Sequence, residues 1–160
     1  VAEKRGRLLA VVRIRGRVGV SEEIATALRV LNLHRPYHGV IVEGSPPMMG
    51  ALQKTKDYVT WGEISKDTLS LLLKKRGRLG GGERLTDATV KEKLGCESVE
   101  DLAERVWTGK VALSGIPSLD RVFRLHPPRG GFKRSKKKPH PEGELGNRSS
   151  SMDALVLKMA

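Results

Sequence analysis

Apolar and polar positions along the first half of this chain switch between a period of two and a period near 3.6. Leu8 to Arg15 is rich in Val, Leu and Ile, is bounded by Gly6 and Gly16, and ends in alternation. That pattern predicts a strand with Val12 and Ile14 on one face and Arg13 and Arg15 on the other. A short turn around Arg17 to Val20 leads to Ser21, a good N-cap, with Glu22 and Glu23 in the first turn of a helix. Ile24, Ala27, Leu28 and Leu31 recur at i, i+3, i+4 and i+7 and form its apolar face. Asn32 to Pro36 ends this helix, and GVIVE (39–43) predicts a second strand. Ser45, Pro46 and Pro47 start a second helix whose buried side is Met48, Ala51 and Leu52. Asp57 to Trp61 predicts a third strand, closed by Gly62. Strand, helix, strand, helix, strand over residues 8–64 implies a small sheet with helices on one face.

Past Ile64 the pattern turns helical and less regular. Ser65 caps a predicted helix presenting Leu69, Leu72 and Leu73 and ending in the basic run Lys74, Lys75, Arg76, Arg78. Gly80 to Gly82 mark a break. Two short helices follow, one over Thr86 to Leu94 stopped by Gly95, the other starting at Ser98 with Asp101 in a capping-box position and burying Leu102, Ala103 and Val106. Met152, Leu155, Val156 and Met159 return to helical spacing and predict a terminal helix that docks on the domain. The chain divides into a core (1–64), a helical extension (65–120), a basic arm (121–148) and the C-terminal helix (149–160). It shows no internal repeat.

The arm changes the picture most. From Arg124 to Pro141 it carries seven Lys or Arg residues and no Asp or Glu, with Pro127, Pro128, Pro139 and Pro141 and the Gly130–Gly131 pair. Such a segment buries too little apolar surface to offset its own ordering entropy, so it is expected to be extended and to take shape against an anion. Apolar positions beyond it tether its far end, which favours a binding loop over a solvated tail. The whole chain agrees in sign: 160 residues carry a net charge of +12 and an isoelectric point near 10.2, with 38% apolar and only 4% aromatic residues. Nucleic acid is the most economical anionic partner. Arg13, Arg15 and the loop-borne Arg17 make a second phosphate-binding row, because guanidinium pairs bidentately with phosphate.

Chemistry is not supported. Cys96 is the sole cysteine, which excludes an internal disulfide and a Cys-rich zinc site and suits a reduced compartment. His34, His38, His126 and His140 lack metal-ligand spacing, and His34 and His38, around a proline turn, are read as surface or interface residues. RLGGGER lacks the ending of a phosphate-cradling loop, and Ser114–Gly115 is no nucleophile elbow. The longest apolar run, Leu8 to Val12, is far short of the roughly 20 residues that cross a bilayer, and the N-terminus lacks the features of a leader. A soluble, intracellular chain is therefore expected. Aromatics are too scattered for base-stacking platforms, so phosphate and shape are gripped more than bases are read.

The stretches LLAVVRIRG (8–16), IATALRVLNLHRPYHGVIV (24–42), MMGALQKTKDYVTWGEI (48–64) and FRLHPPRGGFK (123–133), with GELGNR (143–148), strongly resemble the family of universal large-subunit ribosomal protein thirty. The extension beyond Ile64 matches its longer archaeal form, and the resemblance covers nearly the whole chain. It implies a non-catalytic α+β protein with a three-stranded antiparallel sheet and two helices on one face, a truncated ferredoxin-like layer. It implies binding to large-subunit ribosomal RNA beside neighbouring large-subunit proteins in the cytoplasmic ribosome, with no cofactor, metal, membrane, small-molecule substrate or homo-oligomer. Carried over by position, the RNA-facing residues are Arg13, Arg15, Arg35, Lys54, Lys56, Arg124, His126, Arg129, Lys133, Arg134 and Arg148. The charge and turn pattern adds Arg17, Gly130, Gly131, Lys136, Lys137 and Lys138. The competing expectation is a free-standing RNA chaperone or ribosome-biogenesis factor. A DNA-binding reading lacks a turn-helix partner with clustered base-reading side chains.

Overall fold

The computed structural model describes residues 8–16, 18–43, 46–79, 82–108, 119, 122–131, 135–139, 143–147 and 152–160. Strand β1 (Leu8–Arg13) sits at the middle of the sheet because it is apolar on both sides, with Leu9 to Arg13 all buried. Antiparallel to it run β2 (His38–Glu43), with Val40 opposite Val11, and β3 (Val59–Glu63), with Trp61 opposite Val11. Helix α1 (Glu22–Val30) joins β1 to β2 and α2 (Pro46–Lys54) joins β2 to β3. Leu9 and Val11 share a core cluster with Leu28, Leu31 and Leu33 from α1 and its exit and Leu52 from α2. The two helices thus cover one face of the sheet.

The other face is covered too, which the expected single helical layer did not allow for. Ala10 and Val12 pack in a second cluster with Leu69, Leu72 and Leu73 of α3 (Lys66–Arg76) and Leu102, Ala103 and Val106 of α5 (Val99–Trp107). Met152, Leu155, Val156 and Met159 of α6 (Met152–Met159) complete that cluster. The cause is β1 itself: a strand apolar on both faces needs a cover on each. Between α3 and α5, Asp87–Thr89 forms a short α4 that widens into a π-helical turn over Val90–Leu94 and stops at Gly95, whose φ of 69° suits glycine.

The three-stranded antiparallel sheet also needs correction. The strand order is β4-β2-β1-β3-β6-β5, and the sheet is mixed. β4 (Val122–Arg124) runs antiparallel to β2, with Phe123 opposite Gly39, and β6 (Gly143–Asn147) runs parallel to β3, with Gly146 opposite Thr60. β5 (Ser135–Pro139) lies beside β6. These strands fall within the segment expected as an extended arm. Its rare apolar positions explain them: Phe123 and Leu145 are buried, and Thr60 Oγ1 donates to the Gly146 carbonyl at 2.9 Å. Gly39 permits the close pass of the following residues, since a Cβ there would stand 3.2 Å from Leu125 Cδ1.

Strand limits shift for local reasons. β1 ends at Arg13 because Ile14 and Arg15 both donate their N–H to the same Tyr58 carbonyl, at 2.9 and 3.2 Å. β3 begins at Val59 because Thr55 to Tyr58 still turns, the Tyr58 N–H bonding to the Thr55 carbonyl at 2.9 Å. Ser65 caps α3 by accepting from the Thr68 N–H, while its own N–H donates to Asp153 Oδ1 at 2.9 Å, tying α6 to the start of α3.

Candidate nucleic-acid interface

The strand directions collect cationic side chains at one end of the sheet. β1 and β4 finish there, and β2 and β3 begin there. His38 faces Arg124 across β2 and β4, and Arg13 lies one step beyond the Val12–Gly39 pair. Arg15 follows β1, Lys56 precedes β3, and His34 and Arg35 sit in the loop that enters β2. Arg35 and Arg124 are exposed, and neither takes part in an ion pair among the described residues.

Arg13 has a different place from the one its alternation suggests. It is only 4% exposed. Its Nη1 donates to the Leu33 carbonyl at 2.8 Å, its Nε to the Arg15 carbonyl at 2.9 Å and its Nη2 to the Gly16 carbonyl at 3.2 Å. Buried charge is costly unless its donors are met, and here backbone carbonyls meet them. The guanidinium therefore braces the exits of β1 and α1. The face opposite Val12 is covered by α1 and α2, so the alternation that put Arg13 outward places it under a helix layer.

Arg15 is half-buried, 5.0 Å from the Tyr58 ring centroid, with Nη1 donating to the Asp57 carbonyl at 3.3 Å. Stacking on Tyr58 holds the guanidinium at the surface in one orientation. Lys54 pairs with Glu23 of α1 at 3.7 Å, and both remain largely in solvent. Lys56 is exposed.

His126 starts the PPRGG turn and is held against the end of α6. Its N–H donates to the Met159 carbonyl at 3.0 Å, its Nε2 lies 2.8 Å from the Ala160 oxygen, and its Nδ1 lies 2.6 Å from the Pro127 carbonyl. Arg129 N–H donates to the Lys158 carbonyl at 3.2 Å and leaves the side chain exposed. Gly130 and Gly131 follow with φ of 79° and 73° and close a turn by the Gly131 N–H bond to the Pro128 carbonyl. Lys136, Lys137 and Lys138 lie on β5. Arg17, Lys133, Arg134 and Arg148 lie outside the described residues.

His38 is the residue the sequence placed only generally. Its imidazole pKa lies below the ordinary 6.5, first because burial disfavours the charged ring and then because Arg124, Arg35, His34 and Arg13 repel a proton. Its Nδ1 is buried without a hydrogen-bond partner. The available signal was the RPYH turn flanked by basic residues, which brings His38 beside Arg35 in space. Among the described residues there is no His, Cys, Asp and Glu group suited to a metal ion, and no helix is long and apolar enough to cross a membrane.

Comparison with known proteins adds an independent line. Residues 9–59 match the family model described as ribosomal protein L30p/L7e. Three archaeal proteins named large ribosomal subunit protein uL30 align along nearly the full chain. That of Archaeoglobus fulgidus is 47% identical over 95% of this chain and 99% of its own length. That of Methanosphaera stadtmanae is 45% identical over the same shares, and that of Hyperthermus butylicus 43% identical over 98% of this chain and 92% of its own.

Proposed function

Because the chain belongs to the L30p/L7e family of ribosomal proteins, we propose that it serves the large ribosomal subunit by gripping folded ribosomal RNA at two places. It is a structural constituent of the large subunit in the cytoplasmic ribosome and not an enzyme. One grip is the cationic end of the sheet, with Arg15, Arg35, Lys56 and Arg124 directed at phosphates. The other is the segment from His126 to Arg148, whose charge comes from Arg129 in the turn and from Lys136 to Lys138 on β5 among others. Arg13 supports the first grip from beneath. The β1-α1-β2-α2-β3 half is a truncated ferredoxin-like layer to which the extension adds a cover on the second face and strands at both edges. Neighbouring large-subunit proteins are its protein partners, and it acts as a single copy.

The observation that carries this reading is the gathering of exposed arginines from a loop and a strand at one end of the sheet, without an acidic partner among the described residues, in a chain of net charge +12. Charge so placed neutralises RNA phosphates and releases their counterions. A free-standing RNA chaperone finds no support in the relatives, which are named as large-subunit components. Sedimentation of tagged protein tests the assignment: it should travel with large subunits through a moderate salt wash. Recovery only in ribosome-free fractions would refute it.

A further inference from the structure

At the sheet end, three side chains from different elements converge on one small area. Arg35 lies in the loop entering β2, and its carbonyl accepts the His38 N–H at 3.3 Å. His38 opens β2, and Arg124 faces it from β4. Arg35 and Arg124 are exposed and have no acidic partner among the described residues. Some other exposed cations do pair with acids, as Lys66 does with Glu104 and Lys54 with Glu23. Two like charges held near each other without a counter-charge are unfavourable unless an anion is to sit between them.

His38 fits such a role as a neutral donor. Burial and the cations facing it from β4 (Arg124), the loop (Arg35, His34) and β1 (Arg13) all oppose its charging. One nitrogen of a neutral ring donates and the other carries a lone pair. Leaving a lone pair on the buried, unpartnered Nδ1 costs less than stranding an N–H there, so the proton belongs on Nε2. The half-exposed ring then offers one N–H beside two guanidiniums.

We propose that Arg35, His38 and Arg124 form a seat for a single phosphodiester group of bound RNA, the arginines supplying the charge and His38 Nε2 a neutral hydrogen bond. This rests on the RNA-binding reading above and adds a defined subsite to it. The division of roles has a measurable signature. Removing a charged contact lowers both affinity and its dependence on salt. Removing a neutral donor lowers affinity alone.

The experiment uses the full chain and protein-free large-subunit ribosomal RNA, with affinity measured across a salt series. Arg35→Gln and Arg124→Gln should each flatten the slope of log affinity against log salt by about 0.7 to 0.9. His38→Leu should weaken binding roughly tenfold with an unchanged slope, and His38→Gln, which keeps an amide donor, should restore most of it. A parallel titration of the wild-type protein with inorganic phosphate, followed by NMR of the His38 ring, should shift its resonances saturably. His38→Leu binding as wild type does, or an unchanged slope in Arg124→Gln, overturns the seat while leaving RNA binding standing. Absence of any salt-dependent RNA binding by the wild type would instead overturn the broader reading, and the phosphate titration would then decide the seat by itself.

Discussion

Arg13 Nη1 donates to the Leu33 carbonyl at 2.8 Å, and this bond joins the end of the central strand to the residue that closes the first helix. Leu33 is fully buried and returns its own N–H to Leu28 at 2.9 Å. One guanidinium therefore sets the path of the α1–β2 loop, and with it the position of Arg35 and His38.

Arg13→Ala should therefore act on stability before it acts on binding. It strands the buried Leu33 carbonyl, at about 1–3 kcal/mol, and loses two part-buried bonds to the Arg15 and Gly16 carbonyls, so a total loss of about 3 kcal/mol is expected. Arg15→Ala, at a half-buried surface site, should cost no more than about 1 kcal/mol through its lost stacking on Tyr58. Denaturant unfolding of the two variants checks the contrast. Equal losses would show that Arg13 is not the brace described here.

The exit of α1 carries a second test. Asn32 has a φ of 61°, and the Asn32 and Leu33 N–H groups bond back to the Arg29 and Leu28 carbonyls. This is the two-bond helix stop that glycine or asparagine favours. Asn32→Val should destabilise by about 1–2 kcal/mol, the cost of a left-handed β-branched residue, whereas Asn32→Gly should change stability little. Thermal unfolding of both variants reads the difference.

His38 makes folding sensitive to mild acid. Its folded pKa lies below the ordinary 6.5, so the unfolded chain takes up a proton more readily than the folded one. The stability it contributes is present above 6.5 and is lost as pH falls from there through the depressed folded value. Urea midpoints measured between pH 7.5 and 5 should fall, and His38→Gln should remove part of that slope. An identical slope in the variant would place the acid sensitivity elsewhere.

Asp153 connects the last helix to the extension. Its carboxylate accepts the Ser65 N–H at the start of α3, a charge-assisted bond near a helix N-terminus. Asp153→Ala should cost about 1–2 kcal/mol and speed amide exchange in α6. Unchanged exchange at Leu155 and Val156 would show that burial alone holds the helix.

Periodicity made the core elements legible because each buries one regular face: Ile24, Leu28 and Leu31 on α1, or Leu69, Leu72 and Leu73 on α3. Arg13 was misplaced because alternation tells which residues share a face and not what covers it. Leu9 and Val11, on its own face, carried the missing information, since a strand apolar on both sides leaves no solvated face. The strands β4 and β6 were hidden in basic, glycine- and proline-rich sequence, where Val122, Phe123 and Leu145 are the few apolar positions the strands hold. The RPYH turn sets His38 beside Arg35, but its place beside Arg124 comes from the pairing of β2 with β4, which spans more than half the chain and leaves no local trace.

That long-range pairing also sets an order of events during synthesis. β1, β2 and β3 emerge first, with β2 and β3 exposing bare edges until residues 122–147 arrive to pair with them. Unpaired edges invite association with other chains. The half-made protein is thus at its most adhesive while it is still being translated, and the basic C-terminal segment, besides its proposed contact with RNA, is the part that closes that window.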